Sequence, residues 1–205
     1  MLVLACIIAY LLGSIPSSVW IGRLFYQKDV RDFGSGNAGA TNTFRVLGIK
    51  PGVAVLILDA LKGVAAVKVS LLFARFAGDV EVMVLLGICA VIGHVFPVFA
   101  QFRGGKGIAT LLGMIMAIHT PSALMAMATF AVVFLSVRIV SVSSILASLS
   151  FPIWLIFRYH ENSNILIIFS FALVMMVLLT HQKNLERLLN REENRVRLLK
   201  KNRKT

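Results

Sequence analysis

The chain has little acid. Nine Asp and Glu stand against 21 Lys and Arg in 205 residues, a formal net charge of +12. Charge of any kind is scarce too: 15% of residues are charged and 58% are hydrophobic, with a mean hydropathy of +0.86. A soluble domain is usually about 45–50% apolar. The composition therefore excludes an ordinary soluble enzyme and points to a polytopic membrane protein. A basic chain can also signal nucleic acid. Here the basic residues flank apolar segments instead of striping one amphipathic face, so no nucleic-acid partner is expected. The lipid bilayer is the partner that fits.

Cysteine is nearly absent. Cys6 and Cys89 lie in apolar runs, with no C-x-x-C and no Cys/His spacing for zinc. No carboxylate cluster suggests a metal either, so the expectation is no metal and no cofactor. The start, "MLVLACIIAYLLGSIP", lacks a basic leading segment and reads as an uncleaved span, not a signal peptide. Repeats, Pro/Ser-rich linkers and low-complexity blocks are also missing. One domain over residues 1–205 is expected, with a basic tail from about His181.

What the chain has in quantity is apolar runs. A spanning helix needs roughly 20 such residues. Candidates run from Leu2 to about Phe25, Pro51 to Phe76, Val80 to Phe99, Ile108 to Ile118, Ala123 to Val137, Ser143 to Phe157 and Ile165 to Thr180. That is seven, or five if the two short central segments are re-entrant. The Lys and Arg bias favours seven. The segment from His181 to Thr205 holds nine Lys/Arg against three acids, and Lys28, Arg31, Arg45, Lys50, Arg103 and Lys106 fall in alternate loops. The basic loops belong inside. The expected fold is an all-α polytopic bundle of seven transmembrane helices, some short, with cytoplasmic glycine-rich loops and the N-terminus outside.

Those loops carry the chemistry. "GSGNAGATN" contains G-x-G-x-x-G at Gly34, Gly36 and Gly39, the dinucleotide fingerprint. A membrane span precedes it instead of a soluble strand. The acid 20 residues after Gly39, Asp59, lies inside the second span, so NAD is not the reading. Glycines still let backbone N–H groups approach an anion. Ser35, Asn37, Thr41 and Asn42 add side-chain donors, and Arg45 adds a planar cationic fork. The stretch reads as a phosphate cradle. "GGKG", Gly104 to Gly107, is not a Walker A loop, yet Lys106 among glycines at a helix start also suits an anion. His94 lies just upstream, in "GHVFP". His181, Asn184 and Arg187 follow the last span at a spacing that keeps them near one helical face. His119 and His160 fall on the outer side and are given no role. Asp59 and Lys62, three apart in the second span, read as a structural ion pair, because a lone charge there costs about 2.5–3.5 kcal/mol. No G-x-S-x-G elbow is present.

Taken together, "SGNAGATN" with Arg45, "GHVFPVFAQFRGGKG" and "HQKNLERLLNREE" resemble the bacterial membrane glycerol-3-phosphate acyltransferases that use acyl phosphate. The resemblance covers nearly the whole chain. Ser35, Gly36, Asn37, Gly39 and Asn42 match the first family motif, with Thr41 and Arg45 beside it. His94, Gly104, Gly105, Lys106 and Gly107 match the second. His181, Asn184 and Arg187 match the third. That motif then departs: Arg191 stands where the family usually has glycine, while Glu193 keeps the acidic position. Asp59, Lys62 and Gly63 match a further D-x-x-K-G. Family serines after a loop arginine correspond to "RIVSVSSI", where Ser141, Ser143 and Ser144 all qualify and Ser144 joins the binding set.

The resemblance implies acyl transfer from acyl phosphate to the 1-hydroxyl of glycerol 3-phosphate, giving lysophosphatidic acid and phosphate, the first acylation of phospholipid synthesis. It implies Ser35, Asn37, His94, Lys106, His181 and Asn184 as catalytic. Gly36, Gly39, Thr41, Asn42, Arg45, Gly104, Gly105, Gly107, Ser144, Arg187 and Glu193 would bind substrate. It implies a cytoplasm-facing site in a bacterial inner membrane, supplied by an upstream enzyme that makes acyl phosphate. The base is open between a substrate phosphate oxygen, His94 and His181. A phosphate-ester transporter and a membrane scaffold are the other classes the composition allows.

Overall fold

The computed structural model describes residues 1–193 and Arg195, and the rest of the expected basic tail lies outside them. The described residues are helical or loop, with no strand among them.

The first apolar run is broken. Helix α1 covers Leu2–Gly13 and α2 covers Ser17–Tyr26. Between them lies Pro16, which has no N–H to continue the ladder. The break frees the carbonyl of Ile15, and Lys62 donates to it at 2.8 Å from the neighbouring span. The polar stretch after α2 is not all loop: a short helix, α3, spans Ala40–Val46. Next come α4 (Ile49–Lys68), α5 (Val80–Val95), α6 (Ile108–Ile118) and α7 (Thr120–Val137). Helix α8 (Val140–Ile153) contains Pro152, and its ladder widens to a π turn over Trp154–Arg158. Helix α9 (Asn164–Thr180) meets α10 (Gln182–Leu189) at a 60° bend.

Among the described residues, four helical runs are long and apolar enough to cross a membrane: Leu2–Tyr26, Val80–Ala100, Thr120–Val137 and Val140–Arg158. The bent pair α9 and α10 makes a fifth. Two of the seven expected segments fail that test for different reasons. Helix α4 carries Lys50, Asp59, Lys62 and Lys68, and α6 is 11 residues long. These two pack along each other, and glycine makes the approach close. A Cβ at Gly113 would enter the Ala60 carbonyl, and one at Gly63 would enter the Thr110 carbonyl. Helix α1 packs along α5, and α7 along α8. Phe151, Leu155, Met114 and Val67 form the core between them.

Asp59 and Lys62 pair at 2.9 Å, both buried. His94 Nδ1 lies 3.8 Å from the same Asp59 oxygen. Thus α4 turns its two central charges, Asp59 and Lys62, inward, on their own ion pair, on the broken first span and on α5, while Lys50 and Lys68 near its ends are exposed.

Candidate active site

Three loops meet at one end of the bundle. Beyond α2, a 3-10 turn over Val30–Asp32 leads into Gly34–Gly39. Gly36 has φ 71°, a left-handed backbone that glycine adopts without strain. Ser35 and Gly36 are exposed, while Asn37 and Thr41 are half-buried. Asn42 closes the turn: its Oδ1 accepts from Ser35 N–H at 2.9 Å, and its Nδ2 donates to Val30 O at 2.7 Å and Phe33 O at 3.1 Å.

The second loop follows α5. Gly104 N–H donates to Val95 O at 3.2 Å and Gly105 N–H to His94 O at 3.1 Å. A Cβ at Gly105 would strike His94 Nε2 and the carbonyl of Ala38. Only glycine lets this loop lie flat between the α5 terminus and the first loop. Lys106 projects from it and donates to Asn184 Oδ1.

The third element is the bend at His181 with α10. Arg187 Nε donates to Glu193 Oε2 at 2.8 Å, and Asn184 Nδ2 to Glu193 Oε1 at 2.7 Å. Ser141, at the start of α8, adds its hydroxyl to Glu193 Oε1 at 3.0 Å. The turn that returns Glu193 to this position is a Schellman cap. Arg191 N–H bonds to Leu188 O, and Glu192 N–H to Arg187 O at 2.7 Å. Arg191 holds the left-handed position at φ 61°. The family glycine therefore has a physical reason, and this chain accepts strain there.

Electrostatics bind the three together. Burial pushes the Lys106 ammonium down to about 8, helped by the cations of Arg187 and Arg45 and opposed by Glu193. Burial would raise the Glu193 carboxyl, but hydrogen bonds from Arg187, Asn184 and Ser141 hold it below the usual range. With three donors already on it, Glu193 serves as a bracket. His181 is 3% exposed, and its Nδ1 lies 2.8 Å from Val177 O. A carbonyl only accepts, so Nδ1 carries the hydrogen and Nε2 keeps a lone pair.

The comparisons with known proteins fit this geometry. The glycerol-3-phosphate acyltransferase family model matches residues 3–191. This chain belongs to the glycerol-3-phosphate acyltransferase family. A glycerol-3-phosphate acyltransferase of Listeria monocytogenes serotype 4a (strain HCC23) is 43% identical over 196 residues, covering 96% of this chain and 97% of the relative. One from Chlorobium phaeobacteroides (strain BS1) is 39% identical over 227 residues, with 96% and 97% covered. Among solved structures, the fold is similar to PlsY (YgiH), an integral membrane glycerol 3-phosphate acyltransferase. Its glycerol 3-phosphate form has a TM-score of 0.86 at 36% identity, covering 96% of each chain. Its lysophosphatidic acid form has a TM-score of 0.84. This chain is an acyltransferase of phospholipid biosynthesis and an integral membrane protein.

Measured against the sequence reading of this acyltransferase, several placements differ. Glycine N–H groups were expected to meet the anion. Those of Gly36, Gly39, Gly104 and Gly105 instead donate to Phe33, Asn37, Val95 and His94 carbonyls. The loops use these four to close their own turns. Asn42, expected as a ligand donor, is 1% exposed and consumed by three internal bonds. Ser141, not Ser144, reaches Glu193; Ser143 bonds back to Ile139 O. His94, expected as catalytic, is 6% exposed and sits behind Gly105. Gly39 caps α3 and faces open space, while Gly107 turns the chain into α6. His119 meets the Tyr159 ring edge to face, at the far end of α6 from Lys106. The sequence reading missed Arg31. It is buried and donates to Ala100 O and Arg103 O of the second loop. An Asp-x-Arg spacing before a glycine loop was the available signal.

Proposed function

We propose that this chain transfers an acyl group from acyl phosphate to the 1-hydroxyl of sn-glycerol 3-phosphate, releasing 1-acylglycerol 3-phosphate and inorganic phosphate. The observation that carries the reading is the convergence of Lys106 and Arg187 on the Asn184–Glu193–Ser141 bracket, with the Arg45 charge near enough to act on Lys106, at one end of an apolar bundle. Each phosphate monoester brings about −1.5 to −2 charge at pH 7. Two such groups call for a cluster of fixed cations, and these three supply it. Ser35, Asn37 and Thr41 form the polar edge that orients the glycerol. An acyl chain can enter sideways from lipid. The PlsY structures in glycerol 3-phosphate and lysophosphatidic acid forms support the same acceptor and product here.

The donor is already activated, so no covalent enzyme intermediate is needed. The glycerol C1 oxygen attacks the acyl carbon, and a tetrahedral oxyanion forms and collapses. The acyl carbon–oxygen bond to phosphate then breaks. The hydroxyl proton goes to a phosphate oxygen, whose second pKa is near ~6. Lys106 and Arg45 stabilise the developing charge. His181 Nε2 accepts from the C1 hydroxyl and aligns it, whereas His94 supports Gly105 from behind. The pH–rate profiles of His181→Ala and His94→Ala test the base. Collapse of either to background, with substrate binding intact, makes that histidine the base.

The domain is a single one over residues 1–205, crossing a bacterial inner membrane seven times. The N-terminus lies outside, and the site and tail are cytoplasmic. The enzyme that makes acyl phosphate is its upstream partner. The test is donor choice. Purified protein with labelled glycerol 3-phosphate makes lipid product from palmitoyl phosphate, and none from acyl-coenzyme A or acyl-carrier protein alone. Uptake of label into liposomes without product would mark a transporter and overturn the reading.

A further inference from the structure

Arg31 joins two loops that the chain separates by about 70 residues. Its Nε and Nη2 hold both oxygens of Asp29, at 2.8 to 3.2 Å. Its Nη1 donates to Ala100 O at 2.9 Å and Arg103 O at 3.4 Å. Asp29 is itself fixed. It accepts from Arg31 N–H and from Arg23, both at 2.9 Å, and the Arg31 hydrogen bonds hold its carboxyl well below the usual carboxylate range. A buried guanidinium so fully engaged has one orientation.

Both ends of that link run into the site. On one side, Val30 O holds Asn42 Nδ2, and Asn42 Oδ1 holds the Ser35 amide. On the other side, Ala100 and Arg103 begin the chain that turns through Gly104 and Gly105 to Lys106. Gly105 in turn rests against Ala38 of the first loop.

We propose that Arg31 is a positioning residue whose guanidinium locks the Ser35–Asn37 loop to the Gly104–Lys106 loop and so fixes the spacing between the two anion-binding edges. This rests on the acyltransferase reading for its consequence, but the lock itself does not. The planar fork is needed because Lys offers a point charge with three donors at one nitrogen, which cannot reproduce the two-edged grip on both Asp29 oxygens and both carbonyls. Each loop keeps its own polar groups in Arg31→Lys, so each substrate still binds. What changes is their relative placement, and a shift of order 1 Å can cost about a hundredfold in rate.

The test has two arms. In the first, Arg31→Lys and Asp29→Asn are assayed at saturation. The expected result is a kcat about ten- to a hundredfold lower for Arg31→Lys, with KM for glycerol 3-phosphate near wild type. A kcat near wild type, or a raised KM with kcat unchanged, overturns the proposal. In the second arm, amide hydrogen exchange is followed in detergent-solubilised protein. Exchange across residues 33–39 and 102–106 rises together in Arg31→Lys and in Asp29→Asn, while the helices keep their protection. Loosening of one loop alone, or of the whole bundle, overturns the lock. A wild type that makes no product defeats the acyltransferase reading, while the exchange arm still decides the lock.

Discussion

Binding of glycerol 3-phosphate at pH 8 should draw a proton onto Lys106. The ammonium, ordinarily at 10.5, lies at about 8 in the free protein, because burial and the neighbouring Arg187 and Arg45 disfavour its charge. At that pH it is half protonated. A dianionic phosphate placed against it favours the charged form. A rise of even one to two units fills the site to roughly 90% or more, so binding takes up about 0.4 to 0.5 proton. At pH 7 the lysine is already about 90% charged, and its uptake falls below about 0.1. Titration calorimetry in two buffers of different ionisation heat reads this number directly. Lys106→Met should abolish it. The stability sign runs the other way from a salt-bridged group. The folded value lies below the unfolded one, so the unfolded chain binds more protons between about 8 and 10.5. The destabilising contribution is complete below about pH 8 and vanishes as pH rises through that window. No uptake at pH 8, or equal uptake in Lys106→Met, refutes the placement of the lysine among cations.

Glu193→Gln keeps the shape of the bracket but sets an amide donor against Asn184 or Arg187; a lost charged hydrogen bond is worth about 1.5–3 kcal/mol, so kcat/KM should drop at least about tenfold in a steady-state assay. Arg191→Gly should relieve about 1 kcal/mol of left-handed strain, seen as slower amide exchange over residues 184–193; faster exchange would contradict the Schellman turn. Gly105→Ala should cost most of the activity and also lower the thermal melt, because its Cβ meets the buried His94 ring at the end of α5 and the Ala38 carbonyl. Lys62→Met leaves Asp59 buried and unpaired, at about 3–5 kcal/mol. The melting temperature should fall, and Asp59→Asn added to it should restore most of the loss.

The sequence exposed the chemistry better than the carpentry. Lys106 came from one motif and Asn184, Arg187 and Glu193 from another, and the structure brings them into one bonded set. Charged and polar groups flanking apolar spans have few places to go, so motif order and topology alone placed them at one end. Which glycine amides are engaged was not legible, because a turn must first satisfy its own backbone, and nothing in G-x-G-x-x-G says which N–H is left over. Asn42 looked like a donor to ligand for the same reason: side-chain type gives capacity and not partner. The Asp-x-Arg spacing hinted at the Arg31–Asp29 pair, but nothing pointed to the reach of Arg31 into the second loop, because its partners there are carbonyls, which every residue has. The break at Pro16 was written in the chain, but the bond from Lys62 to the Ile15 carbonyl, 47 residues apart, was not. Helix α4 was expected as a span despite its charges, and the buried Asp59–Lys62 pair shows where two of them go.

Phosphorus NMR on purified protein with palmitoyl phosphate and glycerol 3-phosphate, without coenzyme A or acyl-carrier protein, tests the central claim most directly. The two substrate signals should decay together into lysophosphatidic acid and inorganic phosphate in equal amounts. Palmitoyl phosphate that persists, or that yields phosphate without lysophosphatidic acid, would contradict the account.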